Sequence, residues 1–207
     1  MGRKLMLPMA IVITLTFITS SVAASALETL KEKQAAIERA QEAYDTAPAD
    51  GPKKQALDRA VRDAFDFDKL AMESIAGHWN AMTAEQREEY IRLFRSLVLR
   101  STIRKLEEYR AAETQYTDVV ADSTHAVITT VVASASGEQV AIQYKLHRNN
   151  GRWWVWDTTI GLDTEITEYD VSTAENYRSA FNKLVGDEGI EGLLNKLREK
   201  DRGGSDL

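Results

Sequence analysis

Apolar residues recur at helical spacing through the first half of the chain and at strand spacing through its middle. The clearest helical run lies between residues 66 and 109. Ile91, Phe94, Leu97 and Val98, then Ile103, Leu106 and Tyr109, follow three- and four-residue steps, while Glu85, Glu88, Arg92 and Arg95 share a side suited to water. Thr83-Ala84-Glu85-Gln86 has the form of a capping box, in which the threonine oxygen takes the N–H three residues on and Gln86 reaches back. The pattern predicts a helix from Thr83 to Tyr109. Ahead of it, Asp66-Phe67-Asp68 leads into an apolar helical segment ending near Trp79. Further upstream, Leu27 to about Asp45 reads as a charged, weakly apolar helix lying across the domain surface, with Leu30, Ile37 and Tyr44 in register and Gln34, Ala36 and Ala40 between them. Asp50-Gly51-Pro52 starts the next helix, because proline is tolerated in a first turn. Ala56, Leu57, Ala60, Val61, Ala64 and Phe65 form its apolar stripe.

At Glu113 the period falls to two. Gln115–Ala121 and the β-branched stretch Thr124–Ser134 read as strands, and Ser136-Gly137-Glu138 as the turn that follows. Gln139–Arg148 alternates, with Val140, Ile142, Tyr144 and Leu146 on one face and Ala141, Gln143, Lys145 and His147 on the other. Asn149-Asn150-Gly151 is a tight-turn signal before a fourth strand, Arg152–Ile160. A polar, acidic connection from Gly161 to Val171 leads to a second capping box, Ser172-Thr173-Ala174-Glu175. It opens a helix through Leu184, broken at Gly186, and a last amphipathic helix runs from about Gly189 to Lys200. The fold class is therefore α+β: N-terminal helices, a four-stranded antiparallel meander and C-terminal helices. A single domain spans 27–200, and residues 201–207 read as a disordered tail.

Length and composition fit one globular domain with a real core. Residues 1–26 have the three parts of a cleaved leader: Arg3 and Lys4, an apolar run from Leu5 to Ile18, and Ala24-Ser25-Ala26 as the processing signal. The run is shorter than the ~20 residues of a spanning helix. Losing Arg3 and Lys4 with the leader takes the formal charge from −6 to −8. So acidic a chain argues against nucleic acid and against strong adsorption to anionic lipid surfaces. It has no cysteine, which excludes disulfides, thiol chemistry, cysteine-based zinc sites and lipid attachment at a cysteine.

Three stretches in order carry a family resemblance. FDFDKL…GHWNAMTAEQREEYIRLFRSLVLR joins an aromatic-Asp-Phe opening to T-x-E-Q-R and F-x-x-L-(L/V)-x-R. Asn150-Gly151-Arg152-Trp153-Trp154-Val155-Trp156-Asp157 matches a Gly-x-Trp-x-Val strand ending in aspartate, and Asn176-Tyr177-Arg178-Ser179-Ala180-Phe181 an N-Y-R-S-x-F helix. Together they resemble the MlaC-type, or toluene-tolerance auxiliary, proteins. Two departures stand out: Thr102 where the family often has tyrosine, and a longer segment, Thr164 to Val171, before the last helices.

The resemblance implies a periplasmic, non-enzymatic phospholipid carrier, monomeric and without cofactor. Its partners would be an inner-membrane ABC lipid transporter and an outer-membrane lipoprotein complex, the system that maintains outer-membrane lipid asymmetry. It also implies an apolar cavity between helices and sheet, lined by Leu70, Ile75, Trp79, Phe94, Leu97, Val98, Leu106, Val140, Ile142, Tyr144, Leu146, Tyr177 and Phe181. Read from spacing alone, the same residues describe a filled core, and both readings stand at this point.

Other chemistry is sparse. Alternation places Trp153, Val155 and Asp157 on one strand face and Trp154 and Trp156 on the other, so two indoles either lie under helices or form a patch for a partner. Asp157 has two readings: a structural carboxylate, or the general base of a ketosteroid-isomerase-like roll. Tyr177 and Arg178 either bind a phosphate head group or pack structurally. His78, His125 and His147 are scattered without ligand spacing, so no metal site is expected. A ligand-free periplasmic adaptor is the remaining alternative.

Overall fold

The computed structural model describes residues 13–48, 51–108, 114–133, 137, 139–161 and 163–203. Asp50, Tyr109, Glu113, Ser134, Ser136 and Glu138, most of the expected leader (residues 1–12) and residues 204–207 of the expected tail lie outside the described residues. The order is α1 (Ile13–Asp45), α2 (Gly51–Ala64), α3 (Phe67–Ser74), a 3-10 turn (Trp79–Ala81), α4 (Ala84–Glu108), β1 (Thr114–Ala121), β2 (His125–Ala133), β3 (Gln139–Asn149), β4 (Arg152–Ile160) and α5 (Thr173–Gly203). The sheet is an antiparallel meander in the order β1-β2-β3-β4. The α+β architecture expected from the two periodicities is therefore present.

Local chemistry sets the boundaries. Both capping boxes form. Gln86 N–H donates to Thr83 Oγ1 at 3.2 Å while Thr83 N–H donates to Gln86 Oε1 at 3.0 Å. Ser172 and Glu175 exchange the same pair of bonds at 3.3 Å each. Asp66 caps α3 by accepting from Lys69 N–H at 2.9 Å. The β3–β4 turn places Asn150 and Gly151 at φ 50° and 77°, the left-handed pair that a two-residue hairpin loop requires.

Three expectations change. Helix α5 passes Gly186 and kinks instead at Gly189, whose φ of 74° and ψ of 180° are not helical. One glycine inside a helix costs only about 1 kcal/mol, so Gly186 does not end it. The helix also continues beyond Lys200, because Asp201 accepts from Ser96 Oγ at 2.7 Å and from Arg100 Nη1 at 3.2 Å. Residues 201–203 are therefore helical rather than part of the tail. Helix α1 is not a surface strut: Ala26, Leu30 and Ile37 are buried, and the helix runs unbroken across the expected processing site.

Among the described residues the hydrophobic interior falls into three clusters. The largest joins α2, α3, α4 and α5 through residues such as Val61, Phe67, Ile75, Leu97 and Leu194. A second seats Ala26 and Leu30 of α1 on Ile128, Leu146, Trp153 and Val155 of the sheet. The third is small, Val132, Val140 and Ile142, with Tyr144 and Ile160 beside it. A domain of this size normally has one contiguous core. Here the helical core and the sheet's third cluster stand apart.

Candidate functional site

The separation between those clusters is a cavity of about 390 Å³. Its floor is the inner face of the sheet. Cross-strand pairing puts Val132 opposite Val140, Thr130 opposite Ile142 and Tyr144 opposite Thr158, and Val132, Ile142, Tyr144, Thr158 and Ile160 line the space. Its walls are Gln34, Ile37, Glu38 and Gln41 of α1, Phe67 and Leu70 of α3, Val98, Ser101, Thr102, Arg104, Lys105 and Leu106 of α4, and Thr173, Asn176 and Tyr177 at the start of α5. Most of the deep surface is apolar. Polar groups gather on α1 and on the last turns of α4, where Arg104, Lys105 and Glu38 are exposed.

A register shift shapes one wall. Lys145 pairs with Asp157, but the next residue, Leu146, pairs with Val155, so Trp156 is an extra residue in β4. A bulge of this kind re-aims side chains locally. Asp157 therefore shares a side with Lys145 rather than with Val155, contrary to strict alternation, and Trp156 joins the cavity wall. Lys69 and Lys145 Nζ lie 4.8 and 5.8 Å from the centre of the Trp156 ring. Trp154 is half-buried, with Lys33 and Arg152 over its ring at 5.6 and 5.0 Å. Neither indole forms the exposed patch considered from the sequence, because cationic side chains cover the ring faces.

Asp157 is buried, and both of its oxygens accept hydrogen bonds. Oδ2 accepts from Lys145 Nζ at 3.1 Å, and Oδ1 accepts from the N–H groups of Ala174 and Thr158, each at 2.9 Å. The Ala174 bond ties the start of α5, and with it Tyr177, to the sheet. Arg178 does not face the cavity: its Nε donates to the Glu73 carbonyl at 2.9 Å. The phosphate role considered for Arg178 is thus replaced by a clasp between α5 and α3. His147 lies 2.8 Å from Asp66 Oδ2, and His78 lies 2.9 Å from Asn182. Among the described residues no three His, Cys, Asp or Glu side chains are grouped to hold a metal.

Tyrosines mark the polar side of the cavity. Tyr116 OH donates to Gln34 Oε1, and Gln34 Nε2 donates to Tyr144 OH at 3.2 Å. Burial pushes the Tyr144 phenol up to about 12, against the opposing effect of the Gln34 bond. Burial also raises the Tyr177 phenol, with the Ser101 hydrogen bond and the Arg104 charge acting the other way.

Six residues proposed from the sequence meet at the cavity: Leu70, Val98, Leu106, Ile142, Tyr144 and Tyr177. The others do not line it. Ile75, Phe94, Leu97 and Phe181 lie in the helical core with Trp79 against them, Val140 is in the third cluster and Leu146 in the second. Helical and strand periodicity select the buried face but not which part of it stays uncovered. The sequence pattern alone assigns no α1 residue to the wall, although Gln34, Ile37 and Gln41 at steps of three and four put amides beside a buried isoleucine. That is the available signal for a helix facing something other than a dry core.

Helices standing off one face of a four-stranded meander, around an apolar cavity with a polar rim, define an open-cored α+β domain. The chain belongs to the MlaC family, whose pattern it matches over residues 21–199. Among solved structures it is similar to the phospholipid-binding protein from Ralstonia solanacearum, determined in complex with a phospholipid. The TM-score is 0.71 at 23% identity, covering 86% of this chain and 98% of that one. No curated protein matches the sequence. No helix among the described residues is long and apolar enough to cross a membrane.

Proposed function

We propose that this protein is a periplasmic carrier that holds phospholipid acyl chains in the cavity and moves lipid between membrane complexes. The observation that carries the reading is the divided core: the helical and sheet clusters face each other across a space lined by Leu70, Val98, Leu106, Ile142 and Tyr177. Burying hydrocarbon there stabilises the complex by about 0.8 kcal/mol per CH₂. An otherwise unfilled apolar space carries a stability cost, and acyl chains offset it. Family membership and the bound phospholipid of the Ralstonia protein support the same ligand class.

The remaining parts of the reading follow from this. The leader is cleaved after Ala26, and the exported protein starts at Leu27. The lipid head stays at the rim, near the polar last turns of α4. The carrier docks reversibly on an outer-membrane lipoprotein complex and on an inner-membrane ABC transporter. The role is binding rather than catalysis, a view supported by Asp157, whose oxygens are committed to Lys145 and to backbone N–H groups.

Ile142→Trp tests the assignment. The larger side chain occupies the cavity floor, so lipid uptake from vesicles should fall at least several-fold while the circular dichroism spectrum and cooperative unfolding are retained. Undiminished uptake in the folded variant would place the ligand elsewhere.

A further inference from the structure

Gln34 and Gln41 lie on the same side of α1, and both line the cavity, but their amides are treated differently. Gln34 is bonded at both ends, by Tyr116 and by Tyr144. Gln41 is only 6% exposed, and its Nε2 has no hydrogen-bond partner. Among the described residues two other buried side-chain atoms share that condition, Arg100 Nε and Trp153 Nε1, and neither residue lines the cavity. A buried amide donor without an acceptor is costly and uncommon in folded proteins. The terminal torsion of glutamine is broad and two-fold, so a half-turn presents either end of the amide to the cavity.

We infer that Gln41 is a specificity-determining residue that donates a hydrogen bond to a neutral acceptor oxygen of the ligand, the carbonyl of an acyl ester. This rests on the carrier reading and adds to it the linkage by which the chains must be attached. The choice of a carbonyl over a phosphate follows from charge. A phosphate drawn this far in would need a cationic partner to offset its desolvation, and Gln41 is neutral. The exposed cations Arg104 and Lys105 lie at the rim. An amphiphile with its charge at the rim and its ester groups one step inside places the carbonyl beside α1 and the hydrocarbon against Leu70, Val98 and Ile142. A lipid with ether-linked chains lacks that carbonyl and leaves the Gln41 amide without a partner.

The experiment is a competition. The mature chain is incubated with vesicles containing equal amounts of dioleoyl phosphatidylcholine and its dioleyl diether analogue, re-isolated and weighed by native mass spectrometry, which separates the two lipids by mass. Wild type should carry the ester form in about ten-fold excess, the discrimination expected when one buried donor is left unmatched. Gln41→Leu and the more nearly isosteric Gln41→Met should carry the two lipids in near-equal amounts. A wild-type ratio near one overturns the inference while leaving the carrier reading intact. So does an ester preference that survives in either folded variant. Wild type that takes up neither lipid overturns both.

Discussion

At the scale of single residues, the cavity's polar side makes a pH dependence. The Tyr144 phenol is raised to about 12 by burial, whereas an unfolded tyrosine titrates near ~10. The folded state therefore holds the proton where the unfolded state releases it. The resulting stability is fully present below about pH 10 and is lost as pH rises through about 12. Tyr144→Phe should flatten that part of the alkaline unfolding curve in urea titrations at stepped pH; an unchanged slope would mean that Tyr144 is not held as described. Tyr177 shifts in the same direction through burial, so some slope remains in the variant. Asp157 makes a second residue-scale prediction. Asp157→Ala removes an acceptor from Ala174 and Thr158 and the partner of Lys145, so it should destabilise the domain by about 2 kcal/mol. It should also loosen the start of α5, with faster hydrogen exchange at Ala174. A loss of catalytic turnover with unchanged stability would instead favour the general-base reading.

At the scale of elements, helix boundaries follow from side chains close in sequence, and this part of the fold was legible in advance. Both capping boxes, the Asn150-Gly151 turn and the strand alternation each depend on contacts within a few residues. Thr83→Ala should cost about 1 kcal/mol, measured by denaturant unfolding, because one N–H at the start of α4 loses its acceptor. What the sequence hid depends on contacts made across the fold. Trp156 is displaced by a bulge that only the β3–β4 register defines. Asp201 is held in a helix by Ser96 and Arg100, about a hundred positions away. The break in α5 falls at Gly189 rather than Gly186, and two glycines three positions apart give no local signal that separates them. The same limit applied to the site. Leu97 and Val98 are adjacent on α4 and equally apolar, yet Leu97 packs in the helical core and Val98 also reaches the cavity. No one-dimensional pattern separates them.

At the scale of the whole molecule, the divided interior is the main fact. The helical core is well supported: Tyr90, Phe94, Tyr177 and Phe181 form a ring cluster with centroids 4.9 to 6.0 Å apart. Arg198 of α5 pairs with Glu89 of α4, fastening the two helices, and with Glu191 within α5. The Arg198 hydrogen bond holds the Glu89 carboxyl below its usual range, and Asp201 is lowered by Ser96 and then Arg100. Both contribute stability above the ordinary carboxylate range that fades as pH falls through their lowered values. The helical half is thus tightly packed beside an incompletely covered sheet, and the sheet's uncovered part is where acyl chains are proposed to lie.

The measurement that tests this most directly is native mass spectrometry of the mature protein purified from a periplasmic extract, followed by extraction of whatever it carries. The account predicts a chain beginning at Leu27 with the added mass of a phospholipid, and the lipid should be absent from Ile142→Trp. A protein that emerges empty, and that stays empty after incubation with phospholipid vesicles, would contradict it.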